Sequence, residues 1–309
     1  MKKFLIKLSL IIIPFVVLLF VLNFIFSKSY YWNVYYTEQE KFSHVPKEIQ
    51  LANVGSSHGV YAFDYGDIPY TAFNMAVSWQ HHGYNYYIIK QFADCFSKDA
   101  VFLIPISYFD ITRIEEEPLY KYYKILGKEN FPDWNIKDYF LYKVFPFFST
   151  KEPWKKFFMN ENNSPVAAYE KVTSTGESLA DSSRIMYETF TKDNGAERGE
   201  EGFRYNIEAV SKIIDFCHER EIIPVLVSTP QVDLLNGIYT QTDFFDTFYR
   251  FTDTLKEKYP ALIYLDYSQK PEYSSDYSLF FDATHLNKKG AKKFTAQIVQ
   301  DLKSAGFLD

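Results

Sequence analysis

The sequence predicts an α/β protein, a three-layer α/β/α sandwich on a five-stranded, parallel, doubly wound sheet, preceded by one N-terminal transmembrane helix. Three observations lead there. Short apolar runs alternate with amphipathic helical patterns along most of the chain. The runs are continuously apolar, as strands buried on both faces must be, and each ends in polar or turn residues. A long charge-free stretch stands near the amino terminus.

The elements follow in order. Residues 8–27 carry no charge, and twenty helical residues at about 1.5 Å each cover a hydrocarbon core of roughly 30 Å. Lys2, Lys3 and Lys7 precede the run, which assigns residues 1–7 to the cytoplasm and everything beyond the anchor to the outside. A cleaved signal peptide is the alternative. The run exceeds the usual signal length, however, and no A-x-A-like site follows it. Residues 28–47 read as a juxtamembrane stretch, and residues 48–309 as the extracytoplasmic domain.

Within that domain, strands are expected at Glu48–Val54, Ala72–Val77, Ala100–Ile106, Ile223–Ser228 and Leu262–Asp266. A helix is expected over Tyr84–Phe96, with Tyr84, Tyr87, Ile88, Phe92 and Cys95 on one face, and a last helix over Gly290–Ser304. The alternation breaks between about 110 and 205, which reads as an insertion. Its first part is dense in Tyr, Phe, Trp and Lys, and its second part, from Met159 to Gly202, is polar. Segments of this kind form caps or lids over a sheet.

Composition narrows the function. Thirty-three Lys and Arg against 39 Asp and Glu leave a net charge of −6, which argues against a nucleic-acid partner. Aromatic residues make up 19% of the chain, but they are spread along its whole length, so compositional drift explains them better than a carbohydrate-binding face. The two cysteines, Cys95 and Cys217, form neither a disulfide framework nor a zinc spacing.

Chemistry concentrates at two places. The first strand runs into Gly55-Ser56-Ser57-His58-Gly59, which sets a serine at the carboxyl end of a strand, where open α/β sheets bind ligands. The five residues also fit G-x-S-x-G, the nucleophile elbow of the α/β-hydrolases. That fold is rejected, because only 27 residues separate the anchor from the glycine, too few for the strands that precede an elbow. Near the other end, between the last strand and the last helix, lies Asp282-Ala283-Thr284-His285. An Asp three positions before a His can turn back onto the imidazole Nδ1 proton, leaving Nε2 to deprotonate a serine. Asn287 is placed to cap the helix that follows.

Taken together, the G-x-S after the first strand, the D-x-x-H before the last helix and the α/β rhythm between them resemble the SGNH (GDSL-like) hydrolase superfamily. The GSS opening, the N-terminal anchor and the late D-x-x-H look most like its membrane-attached envelope members, those of teichoic-acid D-alanylation and, more loosely, of alginate O-acetylation. The likeness covers roughly residues 48–110 and 205–305. It implies Ser57 as nucleophile, with Ser56 where the family often has Asp, His285 as general base and Asp282 as its orienter. It also implies an oxyanion hole, and here the chain departs twice. Trp79 stands near the place of the second block's glycine, so the backbone N–H groups around Ser78 and Trp79 become the expected donors. The third block's Asn is missing from Ile104-Pro105-Ile106-Ser107-Tyr108-Phe109-Asp110, which leaves Ser107 as the candidate replacement.

The resemblance thus implies acyl transfer to or from a cell-envelope polymer or teichoic-acid-type polymer through an acyl-serine. It requires no cofactor and no metal. The partners implied are an acylated polymer or lipid-linked donor, together with a multi-span membrane acyltransferase. Plain esterase or deacetylase activity, or a catalytically silent binding module, are the alternatives. His58, His81 and His82 could with Asp282 suggest a metal site, but their spacing fixes no ligand geometry, and a solvated or core-satisfied role is the better reading. Arg113, Arg204 and Arg220 read as surface or ion-pair residues, and Ser228-Thr229-Pro230, at the same sheet edge as Ser57, reads equally well as pocket lining or as a simple turn.

Overall fold

The computed structural model describes residues 2–114, 119–149, 153–159, 165–170, 174–193 and 196–309. The chain divides into two compact units, one comprising residues 1–43 and 117–164 and the other residues 44–116 and 165–309.

The larger unit holds a five-stranded sheet. Its strands are β1 (Ile49–Asn53), β2 (Ala72–Asn74), β3 (Phe96–Ile106), β4 (Ile223–Ser228) and β5 (Ile263–Asp266), in the order β2-β1-β3-β4-β5. Every pairing is parallel. Successive residues from Ala100 to Ile106 are all buried. Because neighbours in a strand point to opposite faces, both faces of β3 are covered, as the α/β reading requires. The chain leaves β1 toward β2 on one side of the sheet and continues from β3 toward β4 and β5 on the other. The sheet therefore has its topological switch point between β1 and β3, where a crevice opens beyond the strand ends.

Several boundaries differ from expectation. β2 stops at Asn74 rather than Val77, because Met75 and Val77 leave it while still donating to the carbonyls of Asn53 and Gly55. The expected helix over 84–96 lies at His82–Gln91 and is followed by a 3₁₀ turn, Ala93–Cys95. β3 starts at once, at Phe96, so Phe92 and Cys95 are not on that helix. Cys95 and Cys217 are both free and buried. The final helix, Lys288–Ser304, starts two residues early, and Asn287 caps it by accepting the Gly290 N–H at 3.0 Å.

The stretch expected as one insertion divides. Among its described residues there is no strand. Residues 117–164 belong with the amino-terminal unit, and residues 165–205 belong with the sheet. In that smaller unit the helix Lys2–Phe26 includes Ile6–Phe26, a segment long and apolar enough to cross a membrane. Residues 28–43, expected as a plain juxtamembrane stretch, fold here with residues 119–149. Tyr31, Phe42, Tyr122, Tyr123, Phe131, Tyr142 and Phe147 are buried in this unit.

Candidate active site

The site is built at the switch point. Two residues past the end of β1 stands Gly55, whose φ of +121° turns the chain in a way that L side chains rarely adopt. Ser57 then opens a short helix, Ser57–Ala62. Gly59 lies one turn on, where an added Cβ would stand 2.5 Å from the Val54 carbonyl and 2.8 Å from Ala76, so only glycine lets this turn pack against the strand end. The two glycines of the G-S-S-H-G run thus serve to aim the serine.

Ser57, Asp282 and His285 come together. His285 Nε2 is 2.8 Å from Ser57 Oγ, across a sequence separation of 228 residues. On its other side, His285 Nδ1 lies 2.8 Å and 2.9 Å from the two oxygens of Asp282. Asp282 Oδ1 also accepts the backbone N–H groups of Thr284 and His285 at 2.9 Å and 2.8 Å, so the D-A-T-H turn holds its own carboxylate in place. Burial alone would raise the Asp282 pKa, yet the charge and hydrogen bond of His285 and the two backbone donors hold it below the ordinary carboxylate value. An ionised Asp282 keeps the Nδ1 proton on His285 and leaves Nε2 as the acceptor facing Ser57.

The imidazole of His285 is also clamped by rings. Phe281 lies parallel to it at 5.4 Å, His58 stacks on it at 4.6 Å, and Tyr61 meets it edge-on at 5.6 Å. The loop that carries Asp282 is braced from the polar part of the 110–205 stretch. Ser174 Oγ donates to the Phe281 carbonyl at 2.9 Å, and Ser182 Oγ accepts the Ala283 N–H at 3.2 Å.

The expected oxyanion residues fare differently. Ser57 heads its helix, so its N–H has no carbonyl of that helix to bond. Ser78 and Trp79 occupy the centre of a tight turn closed by the Gln80 N–H on the Val77 carbonyl at 3.0 Å. The Val77 N–H donates to the Gly55 carbonyl at 3.0 Å, which brings this turn alongside the serine loop. Trp79 has φ +62°, so the backbone keeps a glycine-like conformation although the residue is a tryptophan. Its ring is 58% exposed and lies 5.2 Å from the Arg113 guanidinium. Ser107 does not fit its expected role. Its hydroxyl is buried and donates to Asp110 Oδ2 at 2.7 Å, so its proton is already committed.

Asp110 and His58 were not assigned to the site from sequence. Asp110 also receives Ser56 Oγ at 3.5 Å, and its carboxylate is 4.0 Å from His58 Nδ1. The available signal for Asp110 was its place three residues after Ser107, at the carboxyl end of the strand beside β1. For His58 the sequence offers only adjacency to Ser57 and a possible metal-ligand reading with His81 and His82. Of the remaining candidates, Ser228 Oγ is paired with Tyr264 OH at 2.7 Å, and Arg220 forms an exposed pair with Asp94 at 3.5 Å.

Among the described residues no group of three His, Cys, Asp or Glu side chains is arranged to hold a metal ion. What the arrangement offers is a serine hydroxyl, a base in contact with it and a carboxylate that orients the base. That set is the machinery of nucleophilic acyl transfer. No protein-family model matches this chain, and no curated protein matches it either.

Proposed function

We propose that the chain is an SGNH-type serine enzyme that moves acyl groups of a cell-envelope polysaccharide or teichoic-acid-type polymer. The observation that carries this reading is the continuous hydrogen-bonded line from Asp282 through His285 to Ser57 at the switch point of the sheet. Ser57 Oγ attacks the ester carbonyl while His285 Nε2 takes its proton. The negative charge that forms on the carbonyl oxygen is met by the Ser57 N–H and by a backbone N–H of the Ser78–Trp79 turn. His285 then protonates the departing alcohol, leaving acyl-Ser57. A hydroxyl of the acceptor polymer, deprotonated in turn by His285, takes the acyl group and frees the serine. Water in place of that hydroxyl makes the same site an esterase or deacetylase. The cycle uses neither a metal nor a cofactor.

The charge-free helix supports attachment as a single-pass membrane protein, with Lys2, Lys3 and Lys7 on the cytoplasmic side and the site outside. Attachment favours transfer over hydrolysis, since lipid-linked donors and nascent polymer are held at the same surface. It also calls for a multi-span membrane acyltransferase that delivers acyl groups from within. A catalytically silent binding module is the second reading, favoured by the commitment of the Ser107 hydroxyl to Asp110.

Labelling with an activated serine-reactive phosphonate, followed by peptide mapping, tests the reading. Modification at Ser57 that disappears in Ser57→Ala and falls in His285→Ala is expected. An unlabelled Ser57 in folded protein would leave the silent module. With an activated ester and a hydroxyl-bearing polymer, acylated polymer should form faster than free acid. Free acid alone, at a rate the polymer does not change, would mark an esterase.

A further inference from the structure

The amino-terminal unit contains an apolar surface that the acyl chemistry does not use. Asn23 lies in the last two turns of the apolar helix, and both ends of its amide are bonded to a second segment. Asn23 Nδ2 donates to the Val144 carbonyl at 2.8 Å, and Asn23 Oδ1 accepts the Phe147 N–H at 3.1 Å. Rings on either side of it extend the contact, Phe20 against Phe145 at 5.3 Å and Phe26 against Phe147 at 5.4 Å. An amide left unbonded in lipid is costly, so these bonds fix where the second segment meets the helix.

That position sets a depth. The apolar segment Ile6–Phe26 has 21 residues, which at about 1.5 Å each is close to the thickness of one hydrocarbon core, roughly 30 Å. Phe20 lies six residues before its end, about 9 Å along the axis. A segment packed from Phe20 to Phe26 therefore lies at the level of the outer acyl chains and headgroups whenever the helix spans. Its exposed side chains suit that level. On the helix Ile136–Val144, Ile136 and Phe140 are one turn apart and 67% and 53% exposed, and they border an open hollow of about 710 Å³. Phe148 and Trp154 continue the apolar surface. Lys137 and Lys143, both exposed, flank it and can reach lipid phosphates. The opposite face of the same helix buries Tyr142.

We propose that residues 136–149 and Trp154 form an interfacial collar whose Ile136, Phe140, Phe148 and Trp154 insert into the bilayer leaflet surrounding the carboxyl end of the span. The occupant is lipid, and the continuity of this surface with the span is the reason. The proposal rests on the reading of Ile6–Phe26 as a span. It gives the amino-terminal unit a second attachment, one that limits the tilt and rotation of that unit at the membrane surface.

The test uses the full chain in phosphatidylcholine–phosphatidylglycerol vesicles. Single cysteines carry an environment-sensitive fluorophore at Phe140→Cys, Phe148→Cys, Ile13→Cys and Glu257→Cys, on a background with Cys95 and Cys217 replaced by serine. Quenching is read with nitroxides at shallow or deep positions on the lipid. Labels at 140 and 148 are expected to shift to the blue and to be quenched most by the shallow nitroxide. The label at 13 should answer to the deep one and the label at 257 to neither. Quenching at 13 without quenching at 140 or 148 would overturn the collar and leave the span intact. No quenching at 13 would remove the span and the collar with it. A blue shift at 140 with no lipid quenching would mean that protein, such as a second copy, covers the surface, and the proposal would fall. All four sites are exposed, so these labelling substitutions leave the packed side chains in place, and circular dichroism of each labelled protein checks its fold.

Discussion

The imidazole of His58 lies against that of His285, ring centroids 4.6 Å apart and planes inclined by 23°. A second cation stacked on the His285 ring would oppose protonation of that ring. Burial is the main cause that pushes His58 down, the neighbouring His285 adds to it, and Asp110 and Asp282 only partly offset them, so its pKa falls to about 4. His58 is therefore neutral at pH 7 and gives His285 a flat, uncharged wall.

This arrangement makes folding stability depend on pH. Between about 6.5, the ordinary value, and about 4, the unfolded chain binds a proton on His58 that the folded chain does not. Stability should thus be complete above pH 6.5 and decline as pH falls to 4, by an amount on the order of 3 kcal/mol. Below that, protonation of Asp282, whose folded pKa is depressed, removes a further contribution. Denaturant unfolding at pH 7 and pH 4.5 should show a smaller difference in His58→Gln than in the parent. An identical difference would mean that His58 titrates normally in the folded protein.

Asp282→Asn keeps the shape of the D-A-T-H turn but takes away the acceptor that holds the Nδ1 proton. The amide stabilises the wrong tautomer of His285. Turnover of an activated ester should fall by about 10⁴, while circular dichroism and the unfolding midpoint change little. A loss under about tenfold would remove Asp282 from the reaction.

Ser107→Ala tests the oxyanion hole by subtraction. A true donor would cost about 10²–10³ in kcat. Because the hydroxyl is bonded to Asp110 instead, the expected loss in kcat on a small ester is under about tenfold, with a stability cost of roughly 1 kcal/mol for the broken bond. A hundredfold loss in kcat would restore Ser107 to the hole.

Trp79→Gly asks why an exposed aromatic occupies a left-handed position. Glycine relieves about 1 kcal/mol of backbone strain and preserves the N–H at that point. The unfolding midpoint should hold or rise, and reaction with a small activated ester should stay within a few-fold. The ring and its Arg113 partner are then free to be assayed for a part in acceptor choice by comparing polymer and water as second nucleophile. A large loss with the small ester would show that the ring itself shapes the site.

The sequence by itself determined the elements and the local chemistry. Five continuously apolar runs mark the parallel strands, since strands buried on both faces cannot alternate. The three-residue spacing of Asp282 and His285 needs only one turn to bring carboxylate to imidazole, and Asn287 reads as a cap from its position alone. Gly55 and Ser57 were legible because a strand that ends in glycine and serine is a recognisable turn. Only the tertiary structure decided the rest. Ser57 meets His285 although β3 and β4 stand between β1 and β5, because the segment after β5 returns across the sheet to the end of β1, a long-range pairing that no local pattern encodes. The stacking of His58 on His285 and the loss of the Ser107 hydroxyl to Asp110 depend on which side chains happen to face one another across the switch point. The division of the 110–205 stretch between two units likewise arises from packing. Its aromatic part buries itself with the N-terminal segment and its polar part braces the Asp282 loop. Periodicity and turn chemistry act over a few residues and can be read along the chain, whereas contacts between distant segments exist only once the sheet has set their positions.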